Sequence, residues 1–267
     1  MLRRSVDVVS VGLVGLSLGL MTWATLTSAH WLWVLPIIAG MRWSHLVQHN
    51  LVHLPIFRSR WADDVLGWAI TLVDSIPLEF YRIQHHSVHH KDPWGRTDWP
   101  SPYWYQGTQP PHKPVSKAWF VATYAVIFAM GGFMEILRRP TTRASRRFWV
   151  STLVVVPVVA TLAWLHPANF AVFFLLPWAV GWFVAPFSQW DQHAGCDLTQ
   201  PHTLANNDLR WHSTELGLNI GFHTAHHDQP TLHWSDLRQH HERHFAHRTP
   251  AACYIGGIGV PEEAPAP

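Results

Sequence analysis

Long apolar runs alternate with polar blocks along this chain, and the runs predict helices long enough to cross a bilayer. Residues 6–26 (VDVVSVGLVGLSLGLMTWATL) form the first, about the 20 residues that a transmembrane helix needs. Arg3 and Arg4 precede it, as in a signal peptide. Its apolar core is longer than an h-region and more apolar runs follow, so an uncleaved helix is expected. Gly15 and Gly19 within it form a GxxxG, a spacing suited to close helix packing. Trp31 to about Gln48 is a second expected crossing, running on into His49 and His53. Residues 54–117 are mostly polar, and the apolar patch at 65–73 (VLGWAITLV) is too short to span. Beyond it lie an apolar run at 118–137, an arginine-rich linker at 138–147, and apolar runs at 148–165 and 169–187 joined by the turn His166-Pro167-Ala168-Asn169. The remainder from 188 is polar. One domain is expected over 1–248, followed by a Pro/Ala/Glu-rich tail at 249–267 with the composition of a disordered segment.

Charge constrains how these runs thread a membrane. Lys and Arg are enriched in cytoplasmic loops. Arg3, Arg4, Arg58, Arg60, Lys91, Arg96, Arg138, Arg139, Arg143, Arg146 and Arg147 should therefore share the cytoplasmic side, while the short turns near Ser28 and His166 carry no Lys or Arg. That arrangement requires 118–137 to enter and leave on one side, as an in-plane or re-entrant helix. The prediction is an all-α integral membrane bundle: four transmembrane helices, interfacial or re-entrant helices, a His-rich cytoplasmic cap and both termini in the cytoplasm. Arg42 lies deep inside an expected crossing, where an ionisable group usually faces the bundle interior.

Composition changes this picture little. A mean hydropathy near zero averages apolar blocks with polar, His-rich ones. The 17 tryptophans suit an interfacial belt. Two cysteines, Cys196 and Cys253, are too few for a disulfide framework. A net charge of +2 gives no reason to expect nucleic acid as a partner.

Histidine changes it much more. The chain has 21, and several recur at helical spacing. His86, His89 and His90 stand at i, i+3 and i+4, positions that share one face of an α-helix; His223, His226 and His227 repeat the spacing, His49 and His53 form an HxxxH, and His193 follows the last apolar run. Nine imidazoles exceed the needs of one ion and suit two. All-nitrogen ligation fits iron, copper, nickel or zinc, whereas calcium and magnesium prefer oxygen. No HExxH is present, which excludes a zincin protease. No ExxH is present either, which excludes the carboxylate-rich di-iron site of soluble bundles.

HxxxH followed by two HxxHH boxes at membrane-helix ends resembles the membrane-bound fatty acid desaturase and hydroxylase superfamily. The resemblance covers roughly residues 31–245 and includes HNLVHLPIFRSRWADDVLG (49–67), YRIQHHSVHH (81–90) and NIGFHTAHHDQP (219–230). It implies a di-iron centre that uses molecular oxygen on an unactivated C–H bond of a fatty acyl or other long apolar substrate. It also implies that His49, His53, His86, His89, His90, His193, His223, His226 and His227 ligate the irons, with no catalytic side chain apart from the ligands. Some members carry an Asn four residues before the isolated His; Gln189 stands there in this chain. No fused cytochrome b5 segment is present, so a separate electron donor such as ferredoxin or rubredoxin, with its reductase, is expected. A carotenoid ketolase or hydroxylase, or an alkane-type hydroxylase, would use the same site. A metal transporter or sensor without redox turnover is the alternative from another class.

Other residues have plainer expectations. His45 reads as a core histidine and His85 as a supporting or exposed one. His233, His240, His241, His244 and His247 read as a solvated surface. Asp98, Asp191, Asp228 and Glu79 are candidates to orient ligating rings. Arg82, Lys91, Arg96, Lys113 and Lys117 could hold an anionic head group or dock an electron donor. Trp94, Trp99, Trp104 and Trp211 suit either a tunnel mouth or a belt.

Overall fold

A computed structural model describes residues 1–91, 93, 98–99, 101–103, 113–197 and 200–257. Trp94, Arg96 and Trp104 lie outside them, as does the tail from 258. The described residues are helical and contain no strand, only two isolated bridges. The helices are α1 (Val8–Thr27), α2 (Val34–His53), α3 (Arg60–Asp74), α4 (Leu78–Tyr81), α5 (Lys117–Arg138), α6 (Arg143–Leu165), α7 (Pro167–Phe170), α8 (Leu176–His193), α9 (His223–Asp228) and α10 (Leu237–His244). A π-helical stretch, Arg82–His89, follows α4 directly, and another, Ala171–Leu175, joins α7 to α8. The chain forms two compact units, one of Met1–Ser87 and Ala125–Ala185, the other of Val88–Tyr124 and Pro186–Pro267.

The first unit packs α1, α2 and α3 against one another. Its core gathers Met21, Ala24, Ile37, Met41, Val73, Phe170, Phe173 and Phe174. The expected GxxxG does not make the close contact, because Gly12, Gly15 and Gly19 all face open space. Close approach falls instead at Gly40, where a Cβ would stand 2.7 Å from Ser17 Oγ. Polar posts fix the remaining helices. Asn169 Nδ2 donates to Thr25 O and Ser28 Oγ, each at 2.9 Å, closing the end of α1. Trp178 Nε1 donates to the carbonyls of Leu72 and Val73 at 3.2 and 3.1 Å, and Trp182 Nε1 to Ser75 Oγ at 2.8 Å. These two tryptophans cap α3 rather than join a belt, whereas Trp31 and Trp164 are exposed as a belt would be.

Among the described residues, four helical segments are long and apolar enough to cross a membrane: Ser5–Thr27, Lys117–Arg138, Arg143–Leu165 and Pro167–His193. The number matches expectation and the membership does not. The second expected crossing, α2, is absent from this set, while the run at 118–137, expected to lie in-plane, is included. The reason lies in α2 itself, where Arg42, Ser44, His45, Gln48, His49, Asn50 and His53 lower the average. More than half of α2 is buried, so its polar side faces protein and needs no apolar cover.

The second unit is held by short helices and hydrogen bonds more than by apolar packing. A small core of Phe222, Ala225, Leu237 and Phe245 lies beneath α9 and α10. Residues 249–257 contribute short 3-10 turns to this unit. Cys253 and Tyr254 are buried, and Asn207 N donates to Cys253 O at 2.7 Å while Ile255 N donates to Asn207 O at 2.8 Å. The apolar and aromatic residues between the prolines give this segment something to bury.

Candidate metal centre

In the first unit, His49 and His53 close the last turn of α2. Two bonds hold that helix end in place: Gln48 Nε2 donates to Ile76 O at 2.8 Å and Arg82 Nη1 to Val52 O at 3.4 Å. His85, not assigned as a ligand on spacing, is buried here. Its ring centroid is 4.4 Å from that of His49 and 4.9 Å from that of His53, and it stacks on Tyr81 at 5.1 Å. Ring nitrogens of His49, His53 and His85 lie within 4.8 Å of one another. His86 is also close, its Nδ1 3.3 Å from His53 Nδ1. The cause of the difference is the π-helical stretch. Its i→i+5 bonding widens the turn, so the α-helical rule that selected His86 over His85 does not hold between Arg82 and His89.

In the second unit, nitrogens of His89, His193 and His227 lie within 4.8 Å of one another, and His89 and His193 are fully buried. Three nitrogen pairs stand out: His89 Nε2 to His227 Nε2 at 3.4 Å, His90 Nε2 to His226 Nε2 at 3.0 Å, and His193 Nε2 to His223 Nε2 at 3.3 Å. Two imidazole nitrogens bound about 2.1 Å from one ion, at tetrahedral or octahedral angles, stand roughly 3.0–3.4 Å apart. These pairs have the edge lengths of a coordination shell. A donor set of neutral nitrogens fits iron, and equally fits zinc, copper or nickel.

Carboxylate support is specific. Asp98 Oδ2 accepts from His89 Nδ1 at 2.8 Å, and both side chains are fully buried. With its proton held at Nδ1, His89 presents Nε2 as the lone-pair nitrogen, the arrangement that orients metal-bound imidazoles. The other candidate acids take other partners among the described residues. Asp191 pairs with Lys117 Nζ at 2.6 Å, Asp228 with His240 at 2.9 Å and Glu79 with Arg82 at 3.3 Å. Lys117 and Arg82 are thereby engaged, while Lys91 and Lys113 are exposed.

Two asparagines that no motif or spacing singles out, Asn206 and Asn207, position the second cluster. Asn206 Nδ2 donates to the carbonyls of Asp191 and Ala194 at 2.8 and 2.9 Å, capping α8 where it carries His193. Asn207 Nδ2 donates to Thr224 Oγ1 at 2.9 Å, and its Oδ1 accepts from Thr224 N at 3.1 Å, anchoring the first turn of α9. Just before α9, a Cβ on Gly221 would overlap the Asp208 carbonyl. Beside it, burial raises the Asp208 carboxyl but hydrogen bonds from Arg210 and Ser213 outweigh it and hold the group below its ordinary value.

The remaining histidines divide. His45 stands 3.9 Å from Asp74, apart from the close nitrogen pairs, as expected of a core residue. His244 and His247 are exposed, as expected, but His233 and His241 are buried. Burial pushes His241 down to about 4. Of the aromatic residues proposed for a tunnel mouth, Trp99 is buried and Trp211 exposed.

The class these features define is a helical integral membrane protein carrying clustered, metal-capable imidazoles. Residues 28–255, most of the chain, match the family model of the fatty acid desaturases, and the chain belongs to that family. No curated protein matches it.

Proposed function

We propose that this protein is a non-haem di-iron oxidoreductase that desaturates or hydroxylates an aliphatic acyl chain with molecular oxygen. The reading rests on family membership together with four histidine pairs at coordination-shell spacing. His49, His53, His85 and His86 would hold one iron. His89, His90, His193, His223, His226 and His227 would hold the other. His85 thus joins the nine ligands that the resemblance implies. When bound, the irons would supply the activation of dioxygen.

The chain's own groups orient and shield. Asp98 holds the His89 proton at Nδ1, Tyr81 packs on His85, and buried rings exclude water that would intercept a reactive oxidant. Desaturation removes two hydrogens from adjacent carbons. Together with two electrons and two protons from a separate reductant, they leave with the oxygen atoms as two waters. Ferredoxin or rubredoxin, each with its reductase, has the required chemistry. The exposed Lys91, next to His90 in the chain, suits such a donor, and the arginine distribution suits a cytoplasmic site with both termini on that side.

The test is product mass. Expressing cells fed carbon-13-labelled acyl chains should yield products about two mass units lighter per double bond introduced, or heavier by one oxygen for hydroxylation, and only under oxygen. Oxidised carotenoid or alkane with unchanged acyl chains would replace the acyl reading with the hydrocarbon one. No oxidised product, with metal bound, would favour the transporter or sensor.

A further inference from the structure

Away from the histidines, the first unit contains a cavity of about 560 Å³ at the start of α6. Its cationic wall is Arg143, Arg146 and Arg147, its apolar wall Trp68, Leu78 and Val150, and the carboxylates on it are Asp64 and Glu79.

The placement of the arginines is unusual for a helix. An N-terminus carries about half a positive charge, which attracts anions and repels cations. Here the first turns of α6 are Arg143-Ala144-Ser145-Arg146-Arg147 with no acidic residue among them. Thr142 caps the helix, its hydroxyl accepting from Ser145 N at 3.2 Å. Some of the charge is matched locally. Arg147 Nη2 lies 3.0 Å from Asp64, and Arg82 Nε lies 3.3 Å from Glu79, whose carboxyl burial pushes up. Arg143 and Arg146 have no carboxylate partner among the described residues. The site therefore has two uncompensated guanidinium groups and a helix dipole of the same sign.

The apolar wall says which anion fits. Only Ser145, Phe148, Ser151 and Val155 of α6 are buried, and Leu153 is 76% exposed. Such a surface belongs against lipid, while arginines are expelled from hydrocarbon toward the headgroups. A free phosphate ion would leave Trp68, Leu78 and Val150 uncovered; a phospholipid would cover them.

We propose that this cavity binds the phosphodiester headgroup of an anionic phospholipid. Arg143 and Arg146 hold the phosphate, and an acyl chain leaves past Val150 along α6. This site is independent of the metal reading.

The test uses the full chain in detergent micelles, titrated with dioleoylphosphatidylglycerol, dioleoylphosphatidylcholine or inorganic phosphate, with bound adducts counted by native mass spectrometry. Phosphatidylglycerol should bind in preference to phosphatidylcholine, and inorganic phosphate should displace it poorly. Arg143→Gln with Arg146→Gln should weaken phosphatidylglycerol binding roughly ten- to thirty-fold. Arg138→Gln with Arg139→Gln removes as much charge from the same linker, at exposed arginines that pair with Glu135, and should leave binding unchanged. Val150→Trp fills the cavity while keeping every arginine, and should weaken binding even if the arginine pair cannot be purified. Equal binding of both lipids, equal loss in the two arginine pairs, full displacement by inorganic phosphate, or wild-type binding by Val150→Trp would each overturn the assignment.

Discussion

The two histidine clusters are built by different physics. In the first unit, His49, His53 and His85 come from α2 and the π-helical stretch, whose backbone bonds are internal and whose placement follows from packed helices. In the second, His193 ends α8 and His223, His226 and His227 sit on α9, a helix of six residues. A helix that short does not hold itself in water. Side-chain bonds from Asn207 and a glycine-tight approach at Gly221 hold it instead, while Asn206 pins the end of α8. Helix packing tolerates loss of single contacts, whereas a network of buried polar bonds fails at single atoms. The second cluster is therefore the more fragile.

The largest expected effect is at Gly221. Gly221→Ala forces a methyl group into the Asp208 carbonyl and should destabilise the second unit by about 3 kcal/mol or more. Thermal unfolding in detergent would show this as an early transition; an unchanged melting curve would count against the close approach. Next comes Asp98→Asn, which keeps shape but removes the charge that orients His89. Metal affinity should fall about 10–100-fold, read by competition with a chelator, with the fold intact by circular dichroism. Asn207→Ala leaves the first turn of α9 without its anchor and should cost about 1–3 kcal/mol, while equivalent loss of a surface bond in the first unit should be barely detectable.

The smallest effect is a pH dependence. Burial pushes His241 down to about 4 from its ordinary 6.5, so the unfolded chain takes up this proton before the folded one does. Stability from this residue is whole above about pH 6.5 and is lost as pH falls toward 4. His241→Leu should flatten the pH profile of the melting temperature in that window; an unchanged slope would place the titration elsewhere.

Much of this was legible in the sequence because helical periodicity survives in the structure. The i, i+3, i+4 spacing picked out the stretches whose imidazoles cluster, and Asp98 was among the few acids near enough to orient one. The misses have physical causes. His85 was set aside because α-helical spacing was applied to a π-helical stretch. The GxxxG of α1 was visible, but the contact uses Ser17 and Gly40, a pairing between helices that no local spacing encodes. Asn206 and Asn207 carry no local signal, since their partners Asp191, Ala194 and Thr224 are 12–17 residues away. His233 and His241 were assigned to the surface by polarity, and burial depends on Phe222, Phe245 and Tyr254 meeting around His241.

Iron content per chain tests the central proposal most directly. Protein loaded with ferrous iron without oxygen, then desalted and assayed by mass spectrometry, should carry two irons. His53→Ala with His85→Ala should remove one and leave the ion of the second unit, and His89→Ala with His227→Ala should do the reverse. Wild-type iron content in either double variant, or none bound by the wild type, would contradict the account.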